Sequence, residues 1–182
     1  MSHDKSPFVA TVSKEFLDYW DKLANGDLIP HTRAFLTTPP FHLIASVCIA
    51  ELTAQGMLLR FLGRDISEDW KEDFTETYWE TRVEPGDRQR FADDMKSVCT
   101  HPVGIHQMSI IRTSQHRNVS CEYLVLPLAV DDQKPPRCVR VGHVSEKLKH
   151  NEQKLAFAWP AGSTWIDIGA GVPKKDRPVW EL

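Results

Sequence analysis

The hydrophobic positions near the start of the chain have the spacing of an amphipathic helix. Phe16, Trp20 and Leu23 recur three or four residues apart, so a helix would place them on one side. Asn25-Gly26 follows them and favours the left-handed conformation that ends many helices. The pattern therefore predicts a helix over residues 14–25.

A second helical pattern lies in the middle of the chain. Phe91, Met95 and Val98 again share one helical side, and Pro85-Gly86-Asp87 precedes them as a turn and helix start. This pattern predicts a helix over residues 87–100. The shorter segments 41–46, which follows Pro40, and 65–83, which is acidic and aromatic, are predicted to form short helices or turns.

Five other segments are rich in residues that favour β-strands, and polar turns separate neighbouring members. The element order is helix, two strands, short helices, a longer helix and three strands. One five-stranded antiparallel sheet with helices on one face accommodates this order with short connections, which predicts an α+β domain. The predicted strands are residues 47–53, 57–63, 103–113, 119–130 and 137–144.

Composition narrows the function classes. The chain has 182 residues and a net charge of −3, which suits one domain and argues against the basic surface of a nucleic-acid binder. It lacks an apolar run long enough to span a membrane and the apolar core of a signal peptide, so we expect a cytoplasmic protein. We divide it into a flexible N-terminus (1–13), the domain (14–147) and an irregular tail (148–182) that packs on the domain or a partner.

Several short motifs stand in a characteristic order along the chain. They are Tyr19-Trp20, Leu28-Ile29-Pro30, and residues 59–64, 123–128 and 166–171. Together with the element order, these motifs resemble the PAS fold, and in particular a family of small stand-alone PAS-like proteins of alphaproteobacteria. The resemblance extends over about residues 14–147, with the tail segment 166–171 also similar.

The resemblance implies a sensory or protein-interaction module and not an enzyme. PAS domains generally hold a small molecule between the sheet and the helices, or dimerise through a flanking helix, and here the signal would leave through another chain. The resemblance implies no specific ligand. The chain lacks the cysteine motif of photoactive flavin-binding PAS domains. His101 and His106 are the haem-ligand candidates, and a helix-end and a sheet histidine explain them more simply.

We predict a modest cavity between the sheet and the helix 87–100 that admits a small, mostly apolar ligand. Methionine and cysteine are adaptable or small residues that leave such space, and a tyrosine hydroxyl is a common polar group in an apolar pocket, although Tyr123 also fits ordinary packing. Arg112 lies on the same strand face as Met108. The candidate ligand-binding residues are Cys48, Met95, Cys99, Met108, Arg112 and Tyr123.

Three alternatives remain open. A cone-shaped α+β fold would make the chain an isomerase or hydratase if His106, Arg112 and Tyr123 met in one pocket. Arg60 either pairs with Glu51 across the first hairpin or binds an anion. The N-terminal helix packs either on the outer face of the sheet or on its copy in a homodimer, and the residues in question are Phe16, Tyr19, Trp20 and Leu23.

The sequence also bears on metals and catalysis. The four cysteines, Cys48, Cys99, Cys121 and Cys138, have no metal-ligand spacing and are expected to be reduced thiols. No hydrolase, metalloprotease or nucleotide-binding motif is present. The sequence therefore predicts neither a metal site nor a catalytic site.

Overall fold

The computed structural model describes residues 7–37, 39–160 and 162–182 of the chain. Within these ranges the chain forms five α-helices and two short 3₁₀ turns, Trp79–Arg82 and Pro85–Asp87. The predicted N-terminal helix is confirmed; it begins three residues early and ends next to Asn25, which has a φ of 49°. The helices are α1 (Thr11–Ala24), α2 (Thr32–Thr37), α3 (Phe41–Ile44), α4 (Arg64–Trp70) and α5 (Arg88–Thr100).

One sheet contains all the strands that the described residues form. The five predicted strands are present, within two residues of their expected limits, and they pair only antiparallel with one another. Their spatial order is β2-β1-β5-β4-β3. These strands are β1 (Val47–Thr53), β2 (Gly56–Leu62), β3 (Gly104–Thr113), β4 (Asn118–Leu128) and β5 (Arg137–Val144).

The fold class is confirmed, but the prediction of five strands is wrong because the C-terminal segment extends the sheet. Three short strands, β6 (Lys154–Phe157), β7 (Thr164–Asp167) and β8 (Val179–Glu181), lie beyond residue 147. β6 and β7 both pair antiparallel with β3, and β8 pairs parallel with β7. In a sheet of five strands β3 would be an edge strand with unpaired N–H and C=O groups. β6 and β7 pair with these groups.

The two faces of the sheet carry separate apolar clusters. On the inner face, Tyr123 and Val125 of β4 belong to one cluster with Phe91 and Met95 of α5. On the outer face, Leu124 of β4 belongs to the second cluster, which includes α1. The alternation of side chains along each strand produces this division, because successive residues point to opposite faces.

Helix α1 packs on the outer face, as one of the two expectations for it required. Phe16 and Trp20 are completely buried, and the Trp20 indole donates a 2.9 Å hydrogen bond to the carbonyl of Pro127. Tyr19 and Leu23 are half-buried at the edge of the same cluster. A homodimer that used Phe16 and Trp20 would require α1 to leave its own sheet, so these two residues offer no dimer contact in this fold.

The start of α1 is fixed by a carboxylate from the sheet. Glu122 of β4 accepts hydrogen bonds from the backbone N–H groups of Val9 at 2.9 Å and Ala10 at 2.6 Å. Its side chain also bonds to His106 of β3, with 2.8 Å between Nε2 and Oε1. This buried carboxylate therefore joins the N-terminal segment to the outer face of the sheet.

A buried ion pair joins the C-terminal segment to α5. The guanidinium of Arg177 bonds to the Asp94 carboxylate at 2.9 Å and to Asp176 at 3.0 Å, and it also donates to the hydroxyl of Ser163. The same group lies over the ring of Trp165, with 4.4 Å between Cζ and the ring centroid. These contacts give the segment beyond β6 a defined position on the domain.

Two further properties concern the chain as a whole. Among the residues that the structure describes, no helix has both the length and the apolar character to cross a membrane. The four cysteines are free thiols, as expected, and three of them are buried.

Candidate functional site

A cavity of about 250 Å³ lies between the inner face of the sheet and α4. Residues of β4 and β5 form its inner wall, and α4 and the first residue of β6 lie opposite. Its lining combines charged groups with apolar side chains. The residues are Ser46, Asp65, Ile66, Asp69, Cys121, Tyr123, Arg140, Gly142, His143, Val144, Lys147, Leu148 and Lys154.

Arg140 is the most unusual member of this lining. It lies in the middle of β5, where it pairs with Cys48 of β1 and Val125 of β4, and only 5% of its surface is exposed. Its neighbours along the strand, Val139 and Val141, point to the outer face and are fully buried. Strand alternation therefore directs a charged side chain into the inner layer of the domain.

Three aromatic rings surround the guanidinium. Its Cζ atom lies 4.3 Å from the ring centroid of Tyr123, 5.0 Å from that of Trp79 and 5.9 Å from that of Phe157. All three rings are almost completely buried. A desolvated cation–π contact stabilises a cation by about 2 kcal/mol, so these rings offset part of the cost of burying Arg140.

A glycine makes room for the nearest ring. Gly142 is the cross-strand partner of Tyr123, and a Cβ atom at this position would lie only 2.8 Å from Cε1 of the tyrosine. A side chain at residue 142 would therefore displace the ring from its place beside Arg140. We call the rings of Tyr123, Trp79 and Phe157 around Arg140 the aromatic cage. The absence of a side chain at Gly142 is needed for its geometry.

Among the described residues, no negative charge balances Arg140. Within the described part of the chain no carboxylate lies within ion-pair distance of its guanidinium, and the Nε–H group has no hydrogen-bond acceptor. Burial raises the pKa values of Cys48, Cys121 and Tyr123, so these neighbours are uncharged at neutral pH. Arginine itself stays protonated in proteins. Since removing a charge from water costs several kcal/mol, the cage alone leaves Arg140 undercompensated.

The lining also contains paired charges and an exposed lysine, Lys147. Lys154 of β6 is buried and forms a 2.6 Å ion pair with Asp69 of α4, which connects the two walls of the cavity. Asp65 accepts a hydrogen bond of 3.3 Å from the hydroxyl of Ser46 and pairs with Arg64. Arg140 is thus the lining cation that is both buried and without an acidic partner among the described residues.

The predicted ligand-binding residues do not all meet at this cavity. Tyr123 lines it, and Cys48 lies beside Arg140 on the inner face. Met95 and Cys99 of α5 belong to the same inner layer but lie outside the lining. Met108 and Arg112 lie on the outer face of β3 and are exposed, and Arg112 pairs there with Glu84 at 3.1 Å. The structure therefore separates these last two from the cavity.

The residues of the enzyme alternative are also separated. His106 is on the outer face in contact with Glu122, Arg112 is in solvent, and Tyr123 is in the inner layer. His101, the other haem-ligand candidate, bonds to the carbonyl of Gly171 at 3.1 Å. These histidines therefore share no pocket, and the described residues contain no cluster of His, Cys, Asp and Glu suited to a metal ion.

Arg60 has the structural role that the sequence suggested. Its guanidinium pairs with Glu51 at 2.9 Å across the first hairpin and with Glu76 at 2.8 Å. Glu51 is shared with Arg137, which approaches to 2.8 Å from β5. With two carboxylates already bound, Arg60 has no role as an anion site.

Sequence reasoning missed Arg140, Lys154 and Asp69. Alternation along β5 places Arg140 on the same strand face as Cys138 and Gly142, but the sequence alone does not say whether this face points inward. Its aromatic partners come from three distant parts of the chain. Their convergence depends on the fold and has no local signature.

Comparison with known families agrees with this architecture. The family model described as a PAS domain matches residues 9–142, which is more than half of the chain. Comparison with curated proteins finds no similar sequence. The matched region contains α1, α4, α5, the strands β1 to β4, and β5 as far as residue 142, which includes Arg140. The chain therefore belongs to the PAS domain family.

Proposed function

We propose that this chain is a cytoplasmic PAS sensory module that binds a small molecule in the cavity beside Arg140 and signals its occupancy to a partner protein. The observation that carries the proposal is the buried, unbalanced guanidinium at the wall of a cavity of about 250 Å³. A region used only for packing would gain stability from an apolar residue at this position. A ligand that pairs with the guanidinium would explain why a charged residue occupies this position.

The strand β4 provides a direct route from the cavity to the surface. Tyr123 forms part of the cavity wall on the inner face, and the adjacent Glu122 holds the N–H groups of Val9 and Ala10 on the outer face. A ligand that moves the Tyr123 ring would change the position of this part of β4. The N-terminal segment and α1 would then report the change to a partner.

Native mass spectrometry of the full chain, purified from the organism that makes it, tests the ligand directly. We expect a discrete mass increment that disappears on denaturation. The variant Val144→Trp places a large side chain at the cavity wall and should lose the increment. Met108→Trp adds the same side chain on the exposed outer face and should keep it.

Two results would contradict this proposal. One is native wild-type protein that carries no increment and whose melting temperature no fraction of a small-molecule extract from the same organism raises. The other is an increment that Val144→Trp retains while its circular dichroism spectrum matches that of the wild type. Either result would leave a PAS domain that acts through protein contacts alone.

A further inference from the structure

We propose that the molecule bound in this cavity is a small organic monocarboxylate whose carboxylate group pairs with the guanidinium of Arg140. This inference rests on the proposed ligand-binding function and adds the charge, the size and the anchoring residue. It starts from a buried cation whose three neighbouring titratable side chains, Cys48, Cys121 and Tyr123, are neutral thiols and a phenol.

The charge of the site calls for an anion. A buried cation is stable when a counter-charge and hydrogen-bond acceptors accompany it, and here the described residues supply neither to the Nε–H group. Aromatic rings attract a cation through their faces, but they are poor acceptors for N–H donors. An incoming anion would satisfy both the charge and the unused donor.

The geometry favours a planar oxyanion. The rings of Tyr123 and Trp79 lie over the guanidinium at 4.3 and 5.0 Å, so they restrict its orientation. A fixed, planar fork of N–H donors matches the two oxygens of a carboxylate, and such bidentate pairs are among the strongest hydrogen-bonded contacts. The cage therefore holds Arg140 ready before the ligand arrives.

The remaining lining favours a single negative charge with an apolar body. The second buried cation, Lys154, is already paired with Asp69, and Lys147 at the same cavity is exposed to water, so a phosphate dianion would lack a second buried counter-charge. Ile66, Val144 and Leu148 supply apolar contact for the rest of the ligand. A volume of about 250 Å³ lies just below the range of about 300–1,000 Å³ that is usual for ligand pockets. A short aliphatic or simple aromatic acid has this size.

Calorimetric titration of the full chain, freed of retained ligand by refolding, provides the test. The probes are benzoate and hexanoate as carboxylates, benzamide as a neutral molecule of the same shape as benzoate, and inorganic phosphate. We expect at least one carboxylate to bind at millimolar or lower concentration. We expect benzamide to bind at least about tenfold more weakly than benzoate, because it carries no charge and cannot form an ion pair with Arg140. Phosphate should not bind.

Three variants assign the effect to Arg140. Arg140→Met keeps an unbranched side chain in the cage and should abolish the preference for benzoate over benzamide. Arg140→Lys keeps the charge without the planar fork and should weaken carboxylate binding about tenfold. Arg112→Met removes one charge from the outer face and should bind as the wild type does.

A second measurement is made on the wild-type protein and uses a variant only to assign one signal. In a ¹⁵N-resolved NMR spectrum, the Nε–H signal of Arg140, assigned by its absence in Arg140→Lys, should move downfield on addition of the carboxylate. Equal affinity for benzoate and benzamide, tighter binding of phosphate, or no binding of any carboxylate would overturn the inference. The increment in native mass spectrometry, if present, would still support the proposed function, so the two failures are distinguishable.

Discussion

Two buried arginines lie against aromatic rings at nearly the same distance, yet their surroundings differ in charge. Arg177 lies 4.4 Å from the ring centroid of Trp165, and Arg140 lies 4.3 Å from that of Tyr123. Arg177 bonds to Asp94 and Asp176, and its side chain is 7% exposed. Arg140 is 5% exposed as a whole residue, and no described carboxylate pairs with it.

The comparison separates two uses of the same residue type. The guanidinium of Arg177 has both carboxylate partners and an aromatic contact within the same chain, and it fixes the C-terminal segment on α5. The Arg140 site has the aromatic contact and a cavity but lacks the counter-charge. Burial and stacking alone therefore do not identify a structural arginine; the presence or absence of a paired carboxylate does.

The largest effect is expected from Arg177→Met. This change leaves the carboxylate of Asp94, which is 1% exposed, without its cationic partner. Loss of one partner of a buried ion pair costs about 3–5 kcal/mol of the free energy of unfolding. Urea denaturation measures this loss. The double variant Asp94→Asn, Arg177→Met removes both charges and should recover part of it. A double variant as unstable as the single one would show that the ion pair is not the cause.

A smaller effect, of opposite sign or close to zero, is expected from Arg140→Met in the absence of ligand. The substitution removes a buried charge that has no counter-charge among the described residues and leaves an apolar side chain among the same rings. The free energy of unfolding should stay unchanged or rise by about 1–2 kcal/mol. The measurement is the same urea titration. A loss like that of Arg177→Met would refute the claim that the two sites differ.

The smallest effect concerns acid. The hydrogen bond from Arg177 is the main cause that lowers the pKa of Asp176 in the folded protein. The unfolded chain therefore binds more protons below about pH 4, the usual pKa of aspartate, and the free energy of unfolding falls as the pH drops through this range. Because the Asp176 side chain is 38% exposed, water screens the pair and the contribution is below about 1 kcal/mol.

The variant Asp176→Asn isolates this contribution from those of other carboxylates. Urea midpoints measured from neutral pH down to about pH 3 should fall less steeply for this variant than for the wild type. Arg140→Met should follow the wild-type profile, since no carboxylate among the described residues pairs with Arg140. Parallel profiles for Asp176→Asn and the wild type would contradict the expectation.

The sequence predicted the elements with strong local periodicity and missed those that are too short to show any. The seven-residue strand β1 and the thirteen-residue helix α5 carry clear patterns. β6, β7 and β8 have four, four and three residues, which is too few for alternation to distinguish a strand from a loop. Their pairing with β3 depends on an edge that only the folded sheet provides.

The site was harder to predict than the fold because it depends on which face of a strand is which. Alternation along β3 separates Met108 and Arg112 from Ile105 and Ile111, but it does not say which set points to the helices. Apolar residues on both faces removed the usual distinction between a core face and a polar face. The same ambiguity applies to Arg140. Its aromatic partners are contributed by the 3₁₀ turn Trp79–Arg82, β4 and β6.

The position of β6 and β7 has a consequence for any shortened form of the protein. The PAS family match ends at residue 142, whereas the strands that cover β3 begin at Lys154. A fragment cut at the limit of the match would leave the N–H and C=O groups of β3 open along one edge and would lose Phe157 from the cage. Open strand edges recruit strands of other molecules, so such a fragment would tend to aggregate. The segment that keeps β3 paired on both sides is therefore longer than the segment that the family model matches.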